Sequence, residues 1–140
     1  MVGIALLAQV CAFLGDRARA PRLYQMLLPF ERLHIVIGSA AVYYGPMARH
    51  LGLLAATMSQ WDDAARHFGD AIRACEKLQS KPFLALSQHD YAAMLRARGG
   101  PGLDQAQALA DQALATATQL GMKHLSHNAR ALRSELSRRA

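Results

Sequence analysis

The sequence is poor in aromatic residues and cysteines. Aromatic side chains make up 6% of its 140 residues, whereas apolar residues make up 52% and are mostly alanine and leucine. This composition favours helices packed on helices, because alanine forms helices well and lets backbones approach closely. Charged residues, at 19%, are as frequent as in ordinary globular proteins and exclude a disordered chain. We therefore expect one domain over residues 1–140, with a substantial core.

The chain also lacks an apolar run long enough to cross a membrane. The opening segment MVGIALLAQVCAFLG has no basic residue before its apolar stretch, contains Gln9 and is too short to span a bilayer, so we interpret it as a core helix. The two cysteines, Cys11 and Cys75, lie within apolar helical patterns. A disulfide between them is one option, and two buried thiols in a reducing cytoplasm are the favoured one. These features predict a cytoplasmic protein without a membrane segment.

Lysine is scarce, and the net charge of +6 comes almost entirely from arginine. Most arginines are scattered along the chain, which favours a solvated basic surface over a nucleic-acid site. A small group near the C-terminus leaves the second option open. This possible basic face consists of Arg130, Arg133, Arg138 and Arg139.

Motifs for catalysis or for binding a cofactor are missing. No GxxxxGK[ST] phosphate loop is present, and GGPG at residues 99–102 lacks the required lysine. No serine has a GxSxG setting. The paired Asp62 and Asp63 are explained by the favourable charge of acids at a helix N-terminus. His124 and His127 lie one helical turn apart but have no evident third ligand, so we interpret them as surface histidines. We expect no enzyme activity, no cofactor and no metal site.

Apolar residues recur at helical spacing along most of the chain. The pattern predicts an all-α fold, a right-handed stack of about three antiparallel helical hairpins with a C-terminal capping helix. The expected hairpins cover residues 2–28, 45–79 and 82–121, and the cap covers 123–138. Residues 29–45 are the hardest to interpret, because LHIVI favours a strand and no second strand is evident. We expect a packed connector there, with helix resuming near Ala40 or Gly45.

Small residues and one large ring alternate in the segment that begins at Trp61. The run Ala64-x3-Phe68-x2-Ala71 follows a Leu51-Gly52 pair in the preceding helical pattern. Weaker copies of the run lie at Ala20, Tyr24 and Leu27 and at Ala106, Ala110 and Ala113. This pattern resembles the tetratricopeptide repeat, although the unit is somewhat longer than usual. In such a repeat the small residues mark where helices touch, and the ring fills the gap to the next hairpin.

Two longer segments are similar to a more specific group of proteins. YGPMARHLGLLAATMSQWDDAARHFGDAI and HDYAAMLRARGGPGLDQAQALADQALATATQLGM look like the C-terminal helical-repeat region of large bacterial signalling ATPases. Those proteins are often associated with LuxR-type DNA-binding domains or with adenylate cyclase domains. The similarity covers about residues 10–125. It implies the sensor or docking part of a bacterial signal-transduction or transcription regulator, either as its isolated tail or as a stand-alone relative.

The resemblance also implies a groove on the concave side of the stack, lined by the first helix of each hairpin. The residues expected there are Gln9, Phe13, Arg49, Leu53, Gln88 and Tyr91. Arginine, glutamine and tyrosine suit an extended peptide, such as a segment of the ATPase module. A solvated scaffold face is the alternative. Nucleic-acid contact through the basic face and a small-molecule effector in the groove stay open, and self-association is expected from the apolar first helix.

Overall fold

The computed structural model describes residues 1–38 and 42–138, and within them the chain is mostly helical, as predicted. In chain order the elements are α1 (Val2–Leu14), α2 (Ala20–Leu27), a short 3-10 turn (Leu28–Phe30), β1 (His34–Ile37), β2 (Val42–Pro46), α3 (Met47–Thr57), α4 (Trp61–Lys77), α5 (Lys81–Arg98), α6 (Leu103–Gln119) and α7 (Lys123–Ser137). None of the described helices is both long and apolar enough to cross a membrane.

Local signals explain most of the helix boundaries. Gly15 closes α1 in the left-handed conformation, with φ of 65°, and its N–H donates back to the helix. Pro21 lies in the first turn of α2, where the missing N–H costs nothing. Asp62 and Asp63 lie in the first turn of α4, as predicted from the charge preference of a helix N-terminus. These short breaks turn the chain back on itself between successive helices.

The segment between α2 and α3 forms a two-stranded antiparallel hairpin, so the expectation that LHIVI has no partner was wrong. Ile35 pairs with Gly45 and Val36 with Tyr43, with an irregular step between the two pairs. The second strand was overlooked because its Gly45-Pro46 end looks like a breaker. Helix resumes at Met47, just after Gly45, while Ala40 lies outside the described residues.

Gly45 is required where the hairpin meets the helices. It has a φ of +98°, and a Cβ at this position would lie 2.7 Å from the ring of Phe83 in α5. Tyr43 of the same strand packs edge-on against that ring, with centroids 5.1 Å apart. These two contacts hold the hairpin against α5, so the hairpin is packed on the helical part of the domain.

The repeat pattern lies at the core of the molecule. Ala64, Phe68 and Ala71 are fully buried, and a Cβ on Gly52 would lie 2.9 Å from the Phe68 ring. From α3 onward each helix packs on the next, while α5 also contacts α3 and α7 also contacts α5. At the other end of the domain α1 packs on both α2 and α3. The Phe68 ring therefore fills the space opposite Gly52 of α3, and it also stacks on Tyr91 of α5.

Candidate functional site

The structure does not bring the six residues predicted for the groove into one exposed surface. A shallow cavity of about 380 Å³ lies between α1, α3, α4 and α5. Of the six predicted residues, Leu53 lines it, beside Trp61 and Met94. Tyr91 instead stacks on Phe68, with ring centroids 5.8 Å apart and an angle of 19° between the planes. The Gln9 side chain accepts a hydrogen bond from the Tyr44 hydroxyl at 2.9 Å.

Arg49 and Gln88 are buried, which contradicts the prediction that they face a partner. Arg49 is 5% exposed, and its Nε donates to Asp90 Oδ2 at 2.7 Å, an ion pair between α3 and α5. The Gln88 amide donates to Gln112 Oε1 at 3.0 Å, which joins α5 to α6. Both side chains are therefore already bonded within the domain, because the packing of the helices turns them inward.

The predicted basic face is only partly free. Arg130 and Arg133 are exposed on α7, and Arg138 is exposed just after its end, while Arg139 lies outside the described residues. Arg133 Nη1 lies 3.6 Å from Asp111 Oδ1 of α6, so a carboxylate partly neutralises it. Three exposed arginines on and just after one helix, one of them paired, make a weak nucleic-acid surface.

The most exposed apolar surface lies on α1. Ala5, Ala8 and Cys11 form the buried side of this helix, but Leu7, Val10, Phe13 and Leu14 remain exposed, Phe13 to 89%. A groove of about 560 Å³ runs between α1 and α2. Its apolar lining consists of Ile4, Leu7, Val10, Cys11, Leu14, Leu23 and Met26. Large exposed apolar patches of this kind usually mark binding surfaces.

The rim of this groove is basic. Arg19 and Arg22 both line it, and Asp16 is the one acid among the described lining residues. Arg19 pairs with Asp16 in a contact of 3.0 Å that leaves the arginine side chain 82% exposed. The groove thus combines an apolar floor with positive charge along the α2 side. We call it the α1–α2 groove.

A polar cluster that the sequence did not predict joins α2, the segment after it and α4. The buried His67 ring lies between the Tyr24 hydroxyl, 2.7 Å from Nε2, and Glu31 Oε1, 3.1 Å from Nδ1. Arg66 donates to Glu31 at 2.5 Å. Burial lowers the pKa of the His67 imidazole, and the Arg66 charge lowers it further, while nearby carboxylates act in the opposite direction. The net effect holds this ring neutral near pH 7.

His67, Glu31 and Asp70 form the one group of possible metal ligands found among the described residues, with their ligand atoms within 4.8 Å of one another. The spacing of His67 and Asp70 on one helical face could have been noticed in the sequence. Glu31 had no such signal, because its position depends on how the chain turns after α2. His124 and His127 are exposed on α7 and do not belong to such a group.

A second buried histidine lies at the start of α3. His50 is fully buried, its Nδ1 lies 3.4 Å from the Pro46 carbonyl oxygen, and its Nε2 has no hydrogen-bond partner. Burial, assisted by the neighbouring Arg49 charge, lowers the pKa of His50 to about 4, against smaller opposing effects of the Pro46 carbonyl and Asp90. This histidine faces the core and does not belong to a group of possible metal ligands among the described residues, so its burial matters for stability.

Comparisons of the chain with protein-family models, with curated proteins and with solved structures found no match.

Proposed function

We propose that this chain is a non-catalytic, tetratricopeptide-like interaction scaffold of a bacterial signalling or transcription regulator. Its α1–α2 groove binds the apolar face of an α-helix in a protein partner. The observation that carries the proposal is the exposed apolar lining of this groove, with Leu7, Val10 and Leu14 of α1 at the surface. An apolar helix seated in a groove is a common mode of peptide recognition.

The packing of the other helices supports this interpretation. The α3–α4 pair is covered by α5, and the α5–α6 pair is covered by α7. The α1–α2 pair packs on α3 on one side, while the groove on its other side is open. In a stack of hairpins each apolar face needs a neighbour, and an end without one is a docking surface for another helical segment.

Charge favours an acidic partner over a second copy of this chain. Arg19 and Arg22 lie on the rim of the groove, and the chain carries a net charge of +6. A second copy would bring its own positive rim, and like charges across an interface oppose association. A partner helix with an apolar stripe and flanking glutamates or aspartates would pair with the arginines. By the resemblance described above, a helix of an ATPase module is one such partner.

The other two functions considered from the sequence have less support. Nucleic-acid contact through α7 is weakened because Arg133 pairs with Asp111. An effector in the concave groove is less favoured because Arg49 and Gln88, which were expected to bind it, are buried.

Two synthetic amphipathic peptides with the same leucine stripe test the proposal, one flanked by glutamates and the other by lysines. Fluorescence anisotropy at low salt should show binding of the acidic peptide and much weaker binding of the basic one. Val10→Glu, which places a charge on the groove floor, should abolish binding of the acidic peptide. Leu120→Glu adds the same charge at an exposed apolar position far along the chain and should leave binding unchanged.

Three outcomes would contradict the proposal. The first is equal binding of both peptides, and the second is binding of the acidic peptide that survives Val10→Glu. The third is a dimer in light scattering that Val10→Glu dissociates, because a second copy would then occupy the groove.

A further inference from the structure

The buried edge of His67 points at two carboxylates. His67 is 0% exposed, and its Nδ1 has no hydrogen-bond partner that satisfies the geometry of such a bond. Glu31 Oε1 lies 3.1 Å from Nδ1, but the two atoms do not have the geometry of a hydrogen bond. An unpaired buried nitrogen is costly in a folded protein and therefore suggests an absent partner.

The opposite edge of the ring is arranged as in a metal-binding histidine. Nε2 lies 2.7 Å from the Tyr24 hydroxyl oxygen, which can accept its proton once Arg66, whose Nη2 lies 3.3 Å from the same nitrogen, turns away from the ring. Histidines that bind metals usually donate their second ring N–H to an oxygen in this way, and the donation leaves the first nitrogen with a free lone pair. In this tautomer the lone pair of Nδ1 faces Glu31 and Asp70.

We propose that Glu31, His67 and Asp70 bind a divalent first-row metal ion, for which Zn²⁺ is the best-suited candidate. The three ligand atoms lie within 4.8 Å of one another. One imidazole nitrogen and two carboxylate oxygens suit Zn²⁺, which accepts four ligands and leaves the last position to water. A cavity of about 340 Å³, lined by Glu31 and Asp70, gives the ion a path from solvent.

Two arginines form ion pairs with the carboxylates of this site and would compete with the metal ion for them. Arg66 donates to Glu31 at 2.5 Å, and Arg73 donates to Asp70 at 2.5 Å. Both arginine side chains are largely exposed, 48% and 69% respectively. Exposed ion pairs are weak, so the guanidinium groups can turn into solvent when the ion arrives. Removing an arginine should therefore strengthen metal binding.

The bound ion would connect two parts of the fold. Glu31 follows the 3-10 turn after α2, whereas His67 and Asp70 lie on α4. An ion held by all three would fasten the segment that leads into the β-hairpin onto α4, and it would stabilise the folded state by mass action. This inference does not depend on the partner proposed for the α1–α2 groove.

Isothermal titration with Zn²⁺ tests the site in the full chain, with Co²⁺ absorption as a second measurement of the ligand set. The wild type should bind one ion tightly. Glu31→Gln and Asp70→Asn should each weaken binding by about tenfold or more. Glu76→Gln removes an exposed carboxylate of α4 that is outside the ligand group and should leave the affinity within about twofold.

Arg66→Gln provides a test that a loss of folding cannot imitate, because the expected change is a several-fold gain in Zn²⁺ affinity. Nitrogen NMR should assign the coordinated atom to Nδ1 of His67. The proposal is overturned if Glu31→Gln and Asp70→Asn bind Zn²⁺ as tightly as the wild type. It is equally overturned if the NMR places the ion on His124 or His127.

Discussion

Arg49 and Asp90 form an ion pair inside the helical stack, with Nε of the arginine 2.7 Å from Oδ2 of the aspartate. Their side chains are 6% and 15% exposed, so little water reaches either charge. Burial by itself raises the pKa of the Asp90 carboxyl, but the Arg49 charge and the contacts of His89 lower it by more. The pKa of Asp90 therefore falls below its usual value, and the pair fastens α3 to α5.

Removing one member of this pair should destabilise the fold. We expect Arg49→Ala to lower the free energy of unfolding by about 3 kcal/mol, because it leaves the Asp90 carboxylate without compensation. The double variant Arg49→Ala/Asp90→Ala should lose less than the sum of the two single variants. Urea unfolding gives all four values. As a control, Arg133→Ala breaks an exposed pair and should cost less than about 1 kcal/mol. Additive losses would contradict the coupling.

Gly52 should not tolerate a methyl group. Gly→Ala within a helix normally stabilises by about 1 kcal/mol, but a Cβ on Gly52 would lie 2.9 Å from the Phe68 ring. We expect Gly52→Ala to lower the free energy of unfolding by about 1 to 3 kcal/mol through overpacking. Gly69→Ala in α4, where the nearest atom is the flexible end of Arg73 at 3.4 Å, is the matched control and should be neutral or stabilising. If the two substitutions changed the free energy of unfolding equally, the steric conflict between a Cβ at position 52 and the Phe68 ring would be contradicted.

The buried His50 should make stability depend on pH. Its pKa is about 4 in the folded state and near 6.5 in the unfolded chain, so the unfolded chain binds the proton first as the pH falls. Neutral His50 makes its full contribution to the free energy of unfolding above pH 6.5. This contribution, about 3 kcal/mol in total, is lost as the pH falls towards 4.

Urea unfolding of the wild type and of His50→Gln over this pH range isolates the contribution. The difference in the free energy of unfolding between the two proteins should change with pH. A pH dependence that both proteins share comes from other groups, such as His67, whose pKa is lowered as well. A constant difference would mean that His50 does not become protonated on unfolding.

The two cysteines should react as buried free thiols. Cys11 is 5% exposed and Cys75 is 0% exposed, and neither is in a disulfide. Burial is the main cause that raises the pKa of both thiols, which further reduces the reactive thiolate. A colorimetric thiol reagent at pH 8 should label both sites slowly in the native protein and rapidly in denaturant. Fast native labelling of the Cys75-only variant Cys11→Ala would contradict the buried position of Cys75.

Several parts of this structure could be predicted because their causes are local. The boundaries near Gly15 and Trp61 follow from a left-handed residue and from acids in a first turn. The fully buried Ala64, Phe68 and Ala71 follow from spacing along one helical face. The β-hairpin was missed because its second strand ends in Gly45 and Pro46, and the need for that glycine comes from Phe83 of a distant helix.

The candidate groove was predicted on the wrong residues for a similar reason. Periodicity indicates which side of a helix is polar, but it does not show whether that side meets solvent or another helix. Arg49 and Gln88 have polar side chains, and both turned out to be buried against polar residues of neighbouring helices. The exposed side of α1, by contrast, could be anticipated, because a helix that is apolar nearly all round cannot bury every face on two helices and one strand.

The sequence by itself determined the helical character of the chain and the small residues at helix contacts, since both depend on neighbours within a few positions along the chain. Only the tertiary structure decided which charges meet. Arg49 finds Asp90, and Glu31 reaches His67, because helix crossings and the turn after α2 bring distant positions within a few ångströms. Those distances depend on the packing of whole helices, and no local pattern contains them.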